Sequence, residues 1–111
     1  IWRAGKSTFK KISFLISYNE INIMEIIKFS AKWCSPCQSY WPIFNSVMEE
    51  NPEVKSRSVD VEVEMEFAWK NRIMSIPATI ILDDEWKEIF RKIWIIPKME
   101  LQGIIDEHFK S

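Results

Sequence analysis

Hydrophobic residues in this chain fall into short dense runs and into segments with helical spacing. The first dense run predicts a buried strand, because it is too short for a stable helix and rich in β-branched residues. Its members are Ile23, Ile26, Ile27 and Phe29. A helical pattern follows, with apolar positions at Tyr40, Trp41, Phe44, Val47 and Met48. Asn51-Pro52 ends this helix, and Pro42 inside it predicts a kink because proline removes one backbone hydrogen bond.

The same reasoning assigns the other segments. We expect a weaker strand over residues 54–61, a helix over 63–72, a strand over 76–82 and the returning strand of a hairpin over 86–95. Pro97 opens a final helix as a first-turn proline, and Ser7 or Thr8 caps a first helix. The order (β)αβαβαββα predicts an α/β fold, with a central mixed β-sheet flanked by helices on both faces.

Composition limits the size of the fold and removes several classes of function. The chain has 111 residues, 47% of them hydrophobic, and no repeat or linker, which predicts one domain over residues 1–111 with 1–23 as an atypical or non-native N-terminal segment. The formal net charge is -1, from 15 basic and 16 acidic residues, so charge does not argue for nucleic acid or for a membrane surface. No apolar run approaches the ~20 residues of a membrane span. We expect a monomer.

The start of the chain carries no convincing targeting signal. Residues 10–17 are faintly similar to a signal peptide, but the apolar stretch is short and no small-residue cleavage site follows. The chain begins at Ile1 instead of a methionine, and Met24 is a candidate for the natural start. Together with the low number of cysteines, these features favour a cytoplasmic protein.

The chemistry of the sequence is concentrated in its two cysteines, Cys34 and Cys37. They lie between the predicted strand and helix, so Cys34 sits at a helix N-terminus, where unpaired N–H groups and the helix dipole stabilise a thiolate. The thiolate is the nucleophile of disulfide exchange. A spacing of three puts the second sulfur one turn deeper, and Pro36 stiffens that turn without losing a hydrogen bond. The pattern predicts that Cys34 attacks and Cys37 resolves.

Two other interpretations of the cysteine pair stay open, a zinc half-site and a fixed structural disulfide. Zinc requires four ligands, and His108, far along the chain, is the other good candidate. A position near a helix C-terminus accounts for His108 without a function. Acidic residues alternate after the second predicted strand, at Asp60, Glu62, Glu64 and Glu66. We interpret them as solvated carboxylates, and we expect no metal.

The segment around the cysteines resembles the active site of the thioredoxin family. It reads Phe29-Ser30-Ala31-Lys32-Trp33-Cys34-Ser35-Pro36-Cys37. Ser35 stands where the family usually has glycine, and Pro42 falls at the family's helix-kinking proline. The spacing from Val59-Asp60-Val61-Glu62 to Ile76-Pro77 also fits without a gap. The resemblance is strong over residues 26–82 and loose before Met24.

The resemblance implies a thioredoxin fold and a protein-disulfide oxidoreductase whose only redox group is its own Cys34–Cys37 disulfide. It implies a cis Ile76–Pro77 bond facing the cysteines, although an ordinary trans proline at the start of a strand is the alternative. In the family, the residue before this proline pairs its backbone with the client strand. Trp33, Ser35 and Pro36 complete the substrate-binding residues that the resemblance implies. The implied partners are client proteins with disulfides and a reductase as electron donor.

Three departures from the family pattern bear on mechanism. Lys28 replaces the buried aspartate six residues before the first cysteine, and Ser58 replaces the lysine usually paired with that aspartate. We hypothesise that Lys28 stabilises a thiolate or acts as a base of depressed pKa; the alternative is that it extends its ammonium to water. Trp94 falls near a groove position where the family has glycine, unless the register shifts by one residue.

The direction of the reaction is not determined by the sequence. Reduction of client disulfides is the leading hypothesis. An oxidant or an isomerase with the same site remains an alternative, because thiolate stability sets the redox potential. A binding or accessory module that uses the same groove is the alternative from another class.

Overall fold

The computed structural model describes residues 24–110, which form a four-stranded sheet with three helices. In chain order the elements are β1 (Glu25–Ser30), α1 (Ser35–Glu49), β2 (Lys55–Asp60), α2 (Met65–Lys70), β3 (Ala78–Leu82), β4 (Glu88–Ile93) and α3 (Lys98–Phe109). The strand order is β2-β1-β3-β4. β1 and β2 run parallel, whereas β3 pairs antiparallel with both β1 and β4. For this part of the chain, the predicted α/β fold with a mixed sheet is confirmed.

The central strand β1 is buried on both faces. Ile26, Ile27 and Phe29 have no exposed surface, which explains why this segment reads as a dense apolar run without alternation. By contrast, β2 lies at one side of the described sheet, and of its residues only Val59 is buried. The serines that made residues 54–61 look like a weak strand therefore lie at its exposed positions Ser56 and Ser58.

Helices cover both faces of the sheet, as predicted. On one face, α1 and α3 pack on β1 and β3 around Ile26, Tyr40, Phe44, Val47, Ile81, Leu101 and Ile105. On the other face, α2 packs against Ile27, Phe29, Val59, Ala78 and Ile80 through Ala68 and Phe67. Successive residues of β1 alternate between these two cores, because strand side chains point to opposite faces.

A buried amide network ties the end of α1 to α3. Asn51 is 1% exposed, and its side-chain N–H donates to the Val47 carbonyl and to Gln102 Oε1, each at 2.7 Å. Its Oδ1 accepts from Gln102 Nε2 at 3.1 Å and from Lys110 Nζ at 2.7 Å. The sequence predicted Asn51 only as a helix stop; its second role is to satisfy buried polar groups between two helices.

Some predicted boundaries differ from the structure. Pro97 is the N-cap of α3 instead of its first helical residue. Its ψ of 154° is extended, so the helical dihedral angles begin only at the next residue. The predicted helix near Ser7 and Thr8 lies outside the described residues. The single-domain prediction for residues 1–111 stays a prediction. Across residues 24–110, no helix combines the length and apolarity that a membrane crossing requires.

Candidate redox site

Cys34 is the N-cap residue of α1. Its backbone is extended (φ -87°, ψ 111°), and its Sγ accepts a hydrogen bond from the Cys37 N–H at 3.3 Å. Ser35 and Pro36 are the first two residues of the helix, where proline has no intrahelical hydrogen bond to lose. The Cys34 N–H itself donates to the Ala31 carbonyl at 3.2 Å, which closes the turn between β1 and α1. The predicted position of the first cysteine at a helix N-terminus is confirmed.

Cys34 and Cys37 are joined by a disulfide, with their Cα atoms 5.2 Å apart. Their residues are 5% and 3% exposed, so little of either cysteine is open to solvent. Across residues 24–110 there is no cluster of three or more His, Cys, Asp or Glu residues that could hold a metal ion. His108 bonds the Ile104 carbonyl through Nδ1 at 2.9 Å and packs on the Phe90 ring, so it takes no part in this site.

The Ile76–Pro77 peptide bond is cis and lies against the cysteines, as the resemblance implied. The Ile76 carbonyl oxygen is 4.0 Å from Cys34 Sγ, and the Ile76 side chain packs against Ala31, Cys34 and Cys37. Two segments separated by more than forty residues in sequence are thus brought into contact by the antiparallel pairing of β1 and β3.

Trp33 lies beside the disulfide with 67% of its surface exposed. Its indole Nε1 donates to Glu62 Oε2 at 2.6 Å, which holds the ring in place although little of it is packed. No local pattern in the sequence links these two residues. Their proximity follows from the parallel pairing of β1 and β2, because the carboxyl ends of parallel strands lie at the same edge of a sheet.

Trp94 occupies a backbone position that favours glycine. Its φ is 94°, a conformation that side chains with a Cβ adopt at a cost. Its N–H donates to the Pro77 carbonyl at 2.8 Å, so the residue borders the cis proline. The ring is 54% exposed. The register that places Trp94 at the groove is therefore correct, and the alternative of a one-residue shift is wrong.

Lys28 is buried in the face of the sheet that α1 covers. The residue is 1% exposed, and its Nζ lies 5.3 Å from the centroid of the Phe44 ring. Within residues 24–110 the ammonium makes no hydrogen bond or ion pair, and burial lowers the pKa of Lys28 from its ordinary value. Ser58, the other departure in the charge pattern, is its direct partner in β2. Almost all of the Lys28 residue is therefore covered.

A cavity of about 430 Å³ adjoins Cys37, lined by Ser30, Ala31, Lys32, Gln38, Trp41 and Asp60 in addition to that cysteine. Asp60 is the last residue of β2 and pairs with Ser30 of β1. Its Oδ1 accepts the Glu62 N–H at 2.8 Å. Asp60 is half-buried at this cavity, so its carboxylate is less exposed than that of Glu62 or Glu66. The signal that could have found it is again the parallel pairing of two strand ends.

Comparison with known proteins gives consistent results. The sequence profile of the thioredoxin family matches residues 7–106. The thioredoxin of Mycoplasmoides gallisepticum is 34% identical over 80 residues, covering 72% of this chain and 79% of that protein. That of Chlamydia trachomatis is 32% identical over 83 residues, covering 75% and 80%. A relative in Streptomyces coelicolor is 31% identical over 86 residues; the match covers 78% of this chain and less than two thirds (63%) of that longer protein.

Solved structures show the same similarity. The X-ray structure of Fasciola hepatica thioredoxin has a TM-score of 0.70 at 29% identity, covering 77% of this chain and 80% of the other. A thioredoxin-2 of the malaria parasite has a TM-score of 0.73 at 23% identity, covering 78% and 84%, which bears on the fold alone.

Proposed function

Because this chain belongs to the thioredoxin family of thiol–disulfide oxidoreductases, we propose that it reduces disulfides of client proteins, with Cys34 as attacking thiol and Cys37 as resolving thiol. One observation carries the assignment of the two roles: Cys34 caps α1, whereas Cys37 lies within the first turn of the helix. The capping sulfur faces unpaired N–H groups that stabilise a thiolate, and the inner sulfur is placed to attack it.

In the first step the Cys34 thiolate attacks one sulfur of the client disulfide. A mixed disulfide forms between Cys34 and the client, and the other client sulfur leaves as a thiolate. The N–H of Cys37, which is 3.3 Å from Cys34 Sγ in the oxidised protein, is a suitable donor to the thiolate in the reduced protein. In the second step Cys37 attacks Cys34, the client is released reduced, and the Cys34–Cys37 disulfide re-forms with the two electrons transferred.

The client segment docks, in this proposal, along Ile76. Its carbonyl lies 4.0 Å from Cys34 Sγ, so a client strand that pairs with this backbone has its cysteine at the attacking sulfur. Trp33 offers an exposed ring on one side, while Ser35 and Pro36 form the turn next to the sulfurs. Pro77 is buried and limits the depth to which the client can enter.

The oxidised pair must be reduced again before another turnover. We propose a partner reductase as the electron donor and client proteins as the only macromolecular substrates, with the chain acting as a monomer. A reducing role is matched to a compartment that keeps thiols reduced, such as the cytoplasm.

Lys28 is proposed to modulate the thiolate through its electric field. Its Nζ lies over Phe44, seven residues beyond Cys37, which is roughly 10 Å along the helix. At that distance a charged ammonium stabilises a thiolate by up to about 1.5 kcal/mol with an effective dielectric constant near 20. The test compares the pH dependence of Cys34 alkylation in Lys28→Met with that of the wild type. If the two profiles are the same, Lys28 has no electrostatic role.

The experiment that tests the function measures reduction of a disulfide-bonded protein such as insulin, with dithiothreitol supplying electrons. We expect the wild type to accelerate reduction at least about tenfold and Cys34→Ser to abolish the acceleration. Cys37→Ser should accumulate a mixed disulfide on Cys34, seen by intact mass. Ser39→Ala, at an exposed position of α1, is the matched control and should behave as wild type.

Two results would change the roles assigned to the cysteines or the function assigned to the chain. If Cys37→Ser abolishes the acceleration without forming a mixed disulfide, and Cys34→Ser traps the client on Cys37, the two roles are reversed. If the Cys34→Ser, Cys37→Ser double variant keeps the biological effect of the wild type, the chain is a binding module. The equilibrium of the pair against a glutathione buffer then separates a reductant from an oxidant or isomerase.

A further inference from the structure

The second step of the proposed reaction needs a base for Cys37. A cysteine thiol with the ordinary pKa of about 8.5 is mostly protonated at neutral pH, and Cys37 is only 3% exposed. The proton must leave before or while the sulfur attacks. On the face of β1 that α1 covers, the titratable side chain is Lys28, which is a cation. Glu25 lies on the opposite face of the strand, where it forms an ion pair with Arg57 at 3.5 Å. β1 therefore supplies no carboxylate on the side of Cys37.

The cavity beside Cys37 does contain a carboxylate. It has a volume of about 430 Å³, and both Cys37 and Asp60 line it. Since one water molecule needs roughly 10–15 Å³ of such a cavity, there is room for several between the thiol and the carboxylate. Asp60 Oδ1 is bound to the Glu62 N–H, while Oδ2 makes no hydrogen bond within residues 24–110 and is available to a proton.

We propose that Asp60 accepts the proton of Cys37 through water in this cavity during the resolving step, an inference that rests on the proposed function. The Cys37 S–H bond breaks, and the proton passes through water to the Asp60 carboxylate. The Cys37 sulfur then forms a bond to Cys34 Sγ as the bond between Cys34 and the client sulfur breaks. The client leaves as a thiolate and takes up a proton from the newly protonated carboxyl group or from solvent.

The other polar groups around the cavity are less suitable as the base. The carboxylate of Glu62 is engaged by the Trp33 indole at 2.6 Å. Gln38 does not titrate, and its amide donates to the Lys32 carbonyl at 2.7 Å. Lys32 also lines the cavity, but its ammonium is a cation with no acceptor site for a proton. Lys28, on the same face of β1 as Ser30, is a cation as well.

The substitution Asp60→Asn removes the base and keeps the local geometry. The amide retains an oxygen that accepts the Glu62 N–H, so the turn after β2 is preserved. The matched control is Glu66→Gln, which removes the same charge from an exposed position on α2. Melting temperatures within a few degrees of wild type verify that both variants fold.

The assay mixes each reduced protein with the aromatic disulfide DTNB in a stopped-flow instrument. The first phase reports attack by Cys34, and the second phase reports release of the second aromatic thiolate when Cys37 resolves. At neutral pH we expect Asp60→Asn to slow the second phase about fivefold to tenfold and to leave the first within about twofold. The defect should shrink as pH rises, because hydroxide replaces the carboxylate, and added formate should restore part of the rate.

The outcomes separate this inference from the function on which it rests. If the wild type shows no first phase, the assignment of the redox pair itself fails. If both phases occur and Asp60→Asn slows neither, or slows the second no more than Glu66→Gln does, solvent alone deprotonates Cys37 and the role of Asp60 is wrong. A slow second phase that neither higher pH nor formate relieves also contradicts proton transfer, because it indicates displaced sulfur geometry.

Discussion

Lys28 provides the sharpest test of how this structure is stabilised. The residue is 1% exposed, and its Nζ lies 5.3 Å from the centroid of the Phe44 ring. Methionine has a similar length and volume and carries no charge. We therefore predict that Lys28→Met stabilises the protein at neutral pH.

The size of the effect follows from two opposing contributions. An ion that is largely removed from water loses up to several kcal/mol of hydration, even after the protein relaxes. A desolvated cation–π contact stabilises the folded protein by about 1–2 kcal/mol. The substitution removes both, so we expect a net gain of about 1–3 kcal/mol in the free energy of unfolding. For a domain of this size that corresponds to a rise of roughly 5 to 20 °C in Tm.

The pH dependence has a defined sign. Burial lowers the pKa of Lys28 in the folded protein, whereas the unfolded chain keeps a lysine pKa near 10.4. Between these two values the unfolded state binds more protons, so the stability of the wild type rises with pH through that window. At pH values below the pKa of Lys28 in the folded protein, the full cost of burying the charged ammonium is present. The advantage of Lys28→Met should therefore decrease as pH rises toward 10.

The assay is urea unfolding of oxidised wild type and Lys28→Met at several pH values from 6 to 9.5. Lys55→Met is the control, because it removes the same charge from an exposed position on the neighbouring strand β2; it should change stability by less than about 0.5 kcal/mol. The reasoning is refuted if Lys28→Met is less stable than wild type, or if its advantage does not change with pH.

Three further predictions address other buried or strained groups. At Trp94 the backbone φ of 94° favours glycine, so Trp94→Gly should be more stable than Trp94→Ala by about 0.5–1 kcal/mol in urea unfolding, and the reverse order would show that no strain is present. Burial raises the pKa of Tyr40 to about 12, against the lowering effect of its 2.9 Å hydrogen bond to Thr79. The absorbance titration should thus contain a phenol that ionises near pH 12 and is missing in Tyr40→Phe, and stability contributed by this group is present below pH 10 and lost as pH rises through 12. Asn51→Ala should lower the free energy of unfolding by about 1–3 kcal/mol, since it removes the buried Asn51 amide and leaves the half-buried Gln102 amide with fewer partners; a loss below about 0.5 kcal/mol would mean that water replaces the network.

Much of the fold was predictable because its signals are local. The dense run at Ile26 and Ile27 identifies a strand buried on both faces, and the helical spacing from Tyr40 to Val47 identifies the helix that covers it. The two cysteines could be placed at the start of that helix for the same reason. The cis state of Ile76–Pro77 was expected only through a family resemblance, since the local sequence is also compatible with a trans bond.

The surroundings of the cysteines could not be predicted in this way, because they depend on which strand ends meet. Glu62 bonded to Trp33, and Asp60 in the cavity beside Cys37, both follow from the parallel pairing of β1 and β2. As sequence, these acidic residues are indistinguishable from a solvated loop.

The sequence by itself therefore predicted the strands and helices of the described sheet and placed the redox pair at the N-terminus of a helix. These features could be predicted because strand and helix periodicity and helix-end chemistry depend on residues within a few positions of each other. The tertiary structure alone decided what faces the pair. It buried Lys28 over Phe44, brought Ile76 to 4.0 Å from the Cys34 sulfur and left Trp94 in a backbone conformation suited to glycine. These relations join residues far apart in the chain, and the pairing of strands and the packing of α1 on the sheet fix them.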